Sequence, residues 1–209
     1  HEGLYMKAQG ALKYKFLFVR QKNGDSFEYK QKGFGLTLRQ VGIWRSNAST
    51  ISTAIHHQVP LALEINRFLE HVYTNLHLGG RDNFSGSKLI ESANFFHENE
   101  KYVSKMEEAL SSFDLGLSKV ELKKTTTQTD FGKKEDIVIP VGIHKKGDKE
   151  FKVPFFMEST GTQSAFVLLE QVLPALSNGG VVLIDEIDND LHPHILRYIL
   201  DWFRFDNPK

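Results

Sequence analysis

The run Val181-Val182-Leu183-Ile184, followed at once by Asp185-Glu186, constrains the fold more than any other stretch of the chain. An unbroken apolar run of this length, without alternation, reads as a parallel strand buried on both faces. Upstream, Ala165, Leu168, Leu169, Val172 and Leu176 recur at helical spacing, and Gly179-Gly180 stops that helix. Downstream, His192-Pro193 opens another helix, expected to turn Leu196, Ile199, Leu200 and Phe203 inward. Helix, buried strand, helix is an α/β unit.

Two acids at the carboxyl end of a buried strand lie where open α/β sheets bind ligands. Asp185 is suited to holding a magnesium ion, which takes hard oxygen ligands and shares them with phosphates. Glu186 points elsewhere and is placed to polarise an attacking water as a general base. The bland alternative is an acidic pair capping the next turn. A second motif lies 26 residues before Asp185: Glu158-Ser159-Thr160-Gly161-Thr162-Gln163 sets hydroxyls and a glycine at the start of a helix. A helix N-terminus offers free N–H groups and a positive dipole end, so this is a candidate phosphate seat. Taken alone it reads better as an ordinary N-cap. The expectation is that Ser159 and Asp185 meet at the rim of one sheet.

The remaining residues supply β structure at both ends and helices between. Residues 11–32 read as a hairpin: Tyr14, Phe16 and Phe18 alternate, Asn23-Gly24 is a turn pair, and Phe27 and Tyr29 alternate after it. From Ser49 to about Asp114 the pattern is helical. One helix opens near Pro60 and carries Leu61, Ile65, Phe68, Leu69, Val72 and Leu76, to be stopped by Gly79-Gly80. A later one carries Tyr102, Met106, Ala109, Leu110 and Phe113. Strands are expected at 120–122, 137–143 and 150–156, with 123–136 as a solvated loop or hairpin tip. The implied organisation is an antiparallel β portion (1–48), a helical insertion (49–116) and an α/β portion (117–209).

Formal net charge is zero, so no global basic field points to nucleic acid. The absence of cysteine excludes disulfides and cysteine-ligated zinc, and fits a cytoplasmic setting. No apolar run approaches the length of a membrane span.

Glu158-Ser159-Thr160-Gly161-Thr162, then Val181 to Asp188, then Leu191-His192-Pro193, resembles the ABC ATPases, in particular the SMC-like, AAA-type branch that includes OLD-family and retron- or Septu-associated defence ATPases. The motif match covers roughly residues 156–200. The resemblance implies a P-loop NTPase-like α/β fold that works on ATP and Mg2+ as a homodimer. Ser159, Thr160, Gly161, Thr162 and Gln163 would be the signature meeting the γ-phosphate of a nucleotide held by the other subunit. Asp185 would serve magnesium, Glu186 would be the catalytic base, and Asn189, Asp190 and His192 would belong to the D-loop crossing the interface. It also implies coupling to an effector nuclease or nucleic acid in anti-phage defence or DNA repair, with no membrane involved. The family's P-loop string G-x-x-x-x-G-K-[ST] does not occur in these residues. The expectation is that it precedes His1 and that the switch histidine follows Lys209.

Other features weigh less. Asp185, Glu186, Asp188, His192 and His194 form a dense ligand set, but His192 and His194 flank Pro193 and point apart at a helix start. His56, His57, His71, His77 and His97 share no repeating spacing. The lysines at 119, 123, 124, 133, 134 and 145–149 are interleaved with acids, which reads as solvated turns rather than a nucleic-acid edge. Trp44 and Trp202 read as core, with Trp202 to Phe205 an alternative interface.

Overall fold

The computed structural model describes residues 1–37, 47–77, 79–81, 85–113, 115–128 and 134–204. Trp44 and Phe205, read above from sequence, lie outside the described residues. The chain divides into two compact units, His1–Glu70 and His71–Lys209. The boundary falls inside the 49–116 stretch, so its first two helices belong to one unit and its last two to the other.

In the first unit, β1 (Glu2–Met6), β2 (Lys15–Asn23) and β3 (Ser26–Gln31) form an antiparallel sheet. The expected hairpin is present, closed by the pair Asn23↔Ser26 around Gly24, whose φ of +60° suits glycine. β1 was not anticipated from sequence. Helices α1 (Thr50–His56) and α2 (Pro60–Leu69) complete the unit. Phe18, Phe34, Leu36, Ala54, Val59 and Ala62 make its core. Arg20, buried in the sheet, pairs with Glu2 at 3.3 Å, and Glu2 also accepts from the Thr50 N–H at 2.8 Å. That one carboxylate satisfies both a buried cation and the start of α1.

The second unit has a helical layer against a three-stranded antiparallel meander. The strands are β7 (Leu117–Gln128), β8 (Lys134–Lys146) and β9 (Lys149–Pro154). The stretch expected as a solvated loop or hairpin tip at 123–136 is the distal part of a β7–β8 hairpin: the strands continue to Gln128 and from Lys134, since Thr125-Thr126-Thr127 favours a strand and Thr126 bonds to Asp136 across it at 2.9 Å. After β9 the chain makes a 3-10 turn, Phe155–Met157, where sequence suggested continued strand. The helices are α3 (Gly86–Glu98), α4 (Val103–Ser112) and α5 (Thr160–Asn178). Tyr102, Met106, Ala109, Leu110 and Phe113 are all buried, as their spacing requires. Ala165, Leu168, Leu169 and Val172 of α5 are buried too. Gly179 ends α5 in the left-handed conformation (φ 69°, ψ 36°).

The helix expected to run past Leu69 does not. After Glu70 the chain forms β4 (Val72–Thr74), which pairs in parallel with β10 (Val181–Leu183): Val72↔Val181, Tyr73↔Val182, Thr74↔Leu183. Val72 and Leu76 fit the helical spacing by accident, while Val72-Tyr73-Thr74 is strand-forming once β10 is beside it. A short hairpin follows, β5 (Leu76–His77) and β6 (Gly80–Arg81). β10 itself departs from expectation. It has one neighbour strand among the described residues, so Val181 and Val182 are half-buried and Leu183 is 52% exposed. Val182 and Ile184 pack against the core that α5 contributes to.

Beyond β10 lie α6 (Ile187–Asp190) and α7 (Pro193–Arg204). Of the expected inward face of α7, Ile199 is buried and Phe203 packs against the core, but Ile195 rather than Leu196 or Leu200 is the other buried residue. Leu200 is largely exposed, and Leu196 and Phe203 are half-buried. The core stripe is therefore set one residue earlier, at Leu191, Ile195 and Ile199.

Candidate functional site

The start of α5 is a seat held from within. Ser159 is its N-cap: Ser159 Oγ accepts the Thr162 N–H at 3.2 Å and lies 2.8 Å from Thr162 Oγ1. Gln163 donates its N–H to the Ser159 carbonyl at 3.0 Å and its Nε2–H to the Glu158 carbonyl at 2.8 Å. Those bonds consume the third and fourth N–H groups of the helix. The N–H groups of Thr160 and Gly161 have no acceptor among the described residues. These are the donors a helix start leaves for a ligand. A Cβ on Gly161 would meet nothing nearer than Ser159 Oγ at 4.0 Å, so the bare backbone faces open space. Thr162 is buried, so its hydroxyl serves to orient Ser159 rather than to reach a ligand.

The acidic strand end is organised by residues from far upstream. Asp185 is exposed, and its main chain is bracketed by one side chain: its N–H donates to Asn75 Oδ1 at 2.9 Å and its carbonyl accepts from Asn75 Nδ2 at 3.0 Å. Asn75 follows β4, so its amide extends the β4–β10 ladder by one step. The Asp185 carboxylate itself pairs with no described side chain. Glu186 has left-handed backbone, φ 52° and ψ 40°, unfavourable for a residue with a Cβ. Its Oε2 accepts from Arg81 Nη1 at 2.9 Å. Asn189 and Asp190 are in α6, and His192 is exposed between α6 and α7, with its Nδ1 accepting the His194 N–H at 3.3 Å.

The two motifs bracket α5 and β10: Ser159 caps the start of the helix, and Asp185 follows the strand beyond its end. α5 has 19 residues, about 28 Å at 1.5 Å per residue. The motifs are two loci of one chain. Among the described residues no group of three or more His, Asp or Glu side chains is gathered about a metal-sized point. Asp188, His192 and His194 do not close on Asp185 and Glu186.

Sequence reasoning missed Asn75, Arg81, His144 and Gly142. Gly180 is also more than a helix stop: a Cβ there would lie 2.3 Å from the His71 carbonyl oxygen. None of these carries a local signal, since each partner is distant in the chain. No helix among the described residues is long and apolar enough to cross a membrane.

A helix start with open amides and a parallel strand ending in paired acids are the layout of a nucleotide-binding α/β domain. Residues 13–207 match the family described as "AAA domain, putative AbiEii toxin, Type IV TA system", and the chain belongs to that family of AAA-type ATPase domains. No curated protein and no solved structure matches the chain.

Proposed function

We propose that this chain is the signature and Walker B part of an ATPase that hydrolyses ATP to ADP and phosphate as a homodimer. The observation that carries the reading is the seat at Thr160 and Gly161, two free amides at a capped helix start, in a chain whose family is that of AAA-type ATPases. Asp185 offers a hard oxygen donor, unpaired among the described residues, on a pinned main chain, which fits Mg2+. The ion, when bound with ATP, neutralises charge on the phosphates. Glu186 is the base that takes the proton of the attacking water. In a sandwich of two chains, Ser159, Thr160 and Gly161 of one subunit face the γ-phosphate that the other holds, and Asn189 to His192 lie at the crossing. The helices of residues 49–116 carry a partner, either an effector nuclease or nucleic acid, in anti-phage defence or DNA repair. The toxin named in the family description fits such coupling.

A second reading, a non-hydrolysing scaffold that ATP locks around a toxin or nuclease, is favoured by one observation: the Glu186 carboxylate is engaged by Arg81. Glu186→Gln in the full-length protein separates the two. The enzyme loses phosphate release while retaining ATP and the closed dimer, whereas a scaffold shows little turnover in either form. Ser159→Arg places a bulky cation over the seat and should abolish ATP-dependent dimerisation. Unchanged assembly would overturn the signature assignment.

A further inference from the structure

Immediately before the seat, Glu158 turns its side chain inward. The carboxylate is 9% exposed, and its Oε1 lies 2.6 Å from His144 Nε2 on β8. His144 is itself 24% exposed. It stands in the middle strand of the meander, opposite Leu117 of β7 and Phe151 of β9. The space between is filled to the limit: a Cβ on Gly142 would lie 2.7 Å from Glu158 Oε1 and 2.6 Å from Leu117 Cδ2. Gly142 does not have a positive φ, so its lack of a side chain answers to this close approach and not to backbone conformation.

Glu158 is therefore tied on two sides. Its carboxylate is fixed to β8 through His144, and its carbonyl accepts from Gln163 in the first turn of α5. The next residue, Ser159, is the cap whose Oγ orders Thr162. A neutral imidazole protonated on Nε2 and an imidazolium both donate to the carboxylate, so the link needs only an N–H at that atom.

We propose that His144 is a positioning residue for the seat: it holds Glu158 so that the Thr160 and Gly161 amides face the γ-phosphate at a fixed angle, and it ties the seat to the β7–β8 hairpin. The inference rests on the reading of residues 158–163 as the ATP signature. Donors of this kind are effective only when held at their geometry before the reaction, and a displacement of about 1 Å costs on the order of a hundredfold in rate.

The test uses the full-length protein with MgATP, comparing His144→Ala, His144→Gln and Gly142→Ala with wild type and Ser159→Arg. Turnover, ATP-dependent dimerisation by light scattering and melting temperature are read for each. His144→Ala should lower turnover and dimerisation at least tenfold while nucleotide binding to the monomer is unchanged. His144→Gln, whose amide can still donate to Glu158, should recover most of the loss. Gly142→Ala should reproduce the loss with His144 in place, because it displaces the carboxylate sterically. If Ser159→Arg abolishes assembly but His144→Ala and Gly142→Ala match wild type, the positioning role is wrong and the ATPase reading stands. If Gln fails to rescue and losses follow melting temperature alone, His144 is merely structural and the proposal is overturned. Should wild type and Ser159→Arg behave alike, the ATPase reading falls and this inference falls with it.

Discussion

Replacing Gly180 by alanine should unfold the second unit far more readily than replacing its neighbour Gly179, though both glycines sit at the same helix end. Gly180 lies where the chain leaving α5 passes the start of β4. An added Cβ would stand 2.3 Å from the His71 carbonyl oxygen and 3.2 Å from Ala175 Cα, and both obstacles are backbone. Relief requires a shift of about 1 Å between β10 and β4, which strains the Val181 N–H to His71 carbonyl bond (2.9 Å) and the Gly180 N–H to Ala175 carbonyl bond (2.7 Å). Two such bonds contribute about 1 kcal/mol each, and overpacking adds about 1–3 kcal/mol. The expected cost is about 3–5 kcal/mol, or a fall in melting temperature of about 10 °C for a unit of this size. Gly179 has open space around it and a φ of +69°. Gly179→Ala therefore meets only the left-handed penalty, about 1 kcal/mol, and Gly179→Asn should recover part of it. Urea and thermal unfolding followed by far-UV circular dichroism measure all three. A Gly180→Ala protein as stable as Gly179→Ala would refute the close approach of β4 and β10, and with it the placement of Asp185.

Asn75→Ala removes both bonds to the Asp185 main chain and should cost about 1–2 kcal/mol. It should also raise the Mg2+ concentration needed for half-maximal turnover; an unchanged metal dependence would show that Asn75 does not position Asp185. Arg81→Gln breaks an ion pair whose Glu186 partner is 55% exposed, so stability should change by less than about 1 kcal/mol. Phosphate release should rise several-fold if the arginine parks the base, and a flat rate argues against it. Burial raises the Glu170 carboxyl above the ordinary range, opposed by the Ser92 hydroxyl at 2.6 Å and by Lys88. The folded state then holds that proton more tightly than the unfolded chain, so stability falls as pH rises from the unfolded carboxylate range through the raised value. Glu170→Gln should have a melting temperature that gains on wild type between about pH 4 and neutrality, and a pH-independent difference would contradict the assignment.

What could be read from sequence follows the range of the interactions. α5 was legible because its stripe, its Ser159 cap and its Gly179 stop all lie within 20 residues or so of one another. The β2–β3 turn was legible because Asn23-Gly24 has few other uses. β4 was not: three residues long, it fits the preceding helix's spacing, and only β10 makes it a strand. Asn75 and Arg81 meet partners 110 and 105 residues later, and no local pattern marks a polar residue for such a role. A helix of 19 residues lies between the motifs.

The segment from β4 to β6 bears on how the acids are held. Both Asp185 and Glu186 are held by residues of one short stretch: Asn75 fixes the main chain of the first, and Arg81 engages the side chain of the second. The same stretch supplies β4, the partner strand of β10. The acids are thus held by Asn75, after β4, and by Arg81 on β6, whereas the seat is tied through Glu158 to His144 on β8.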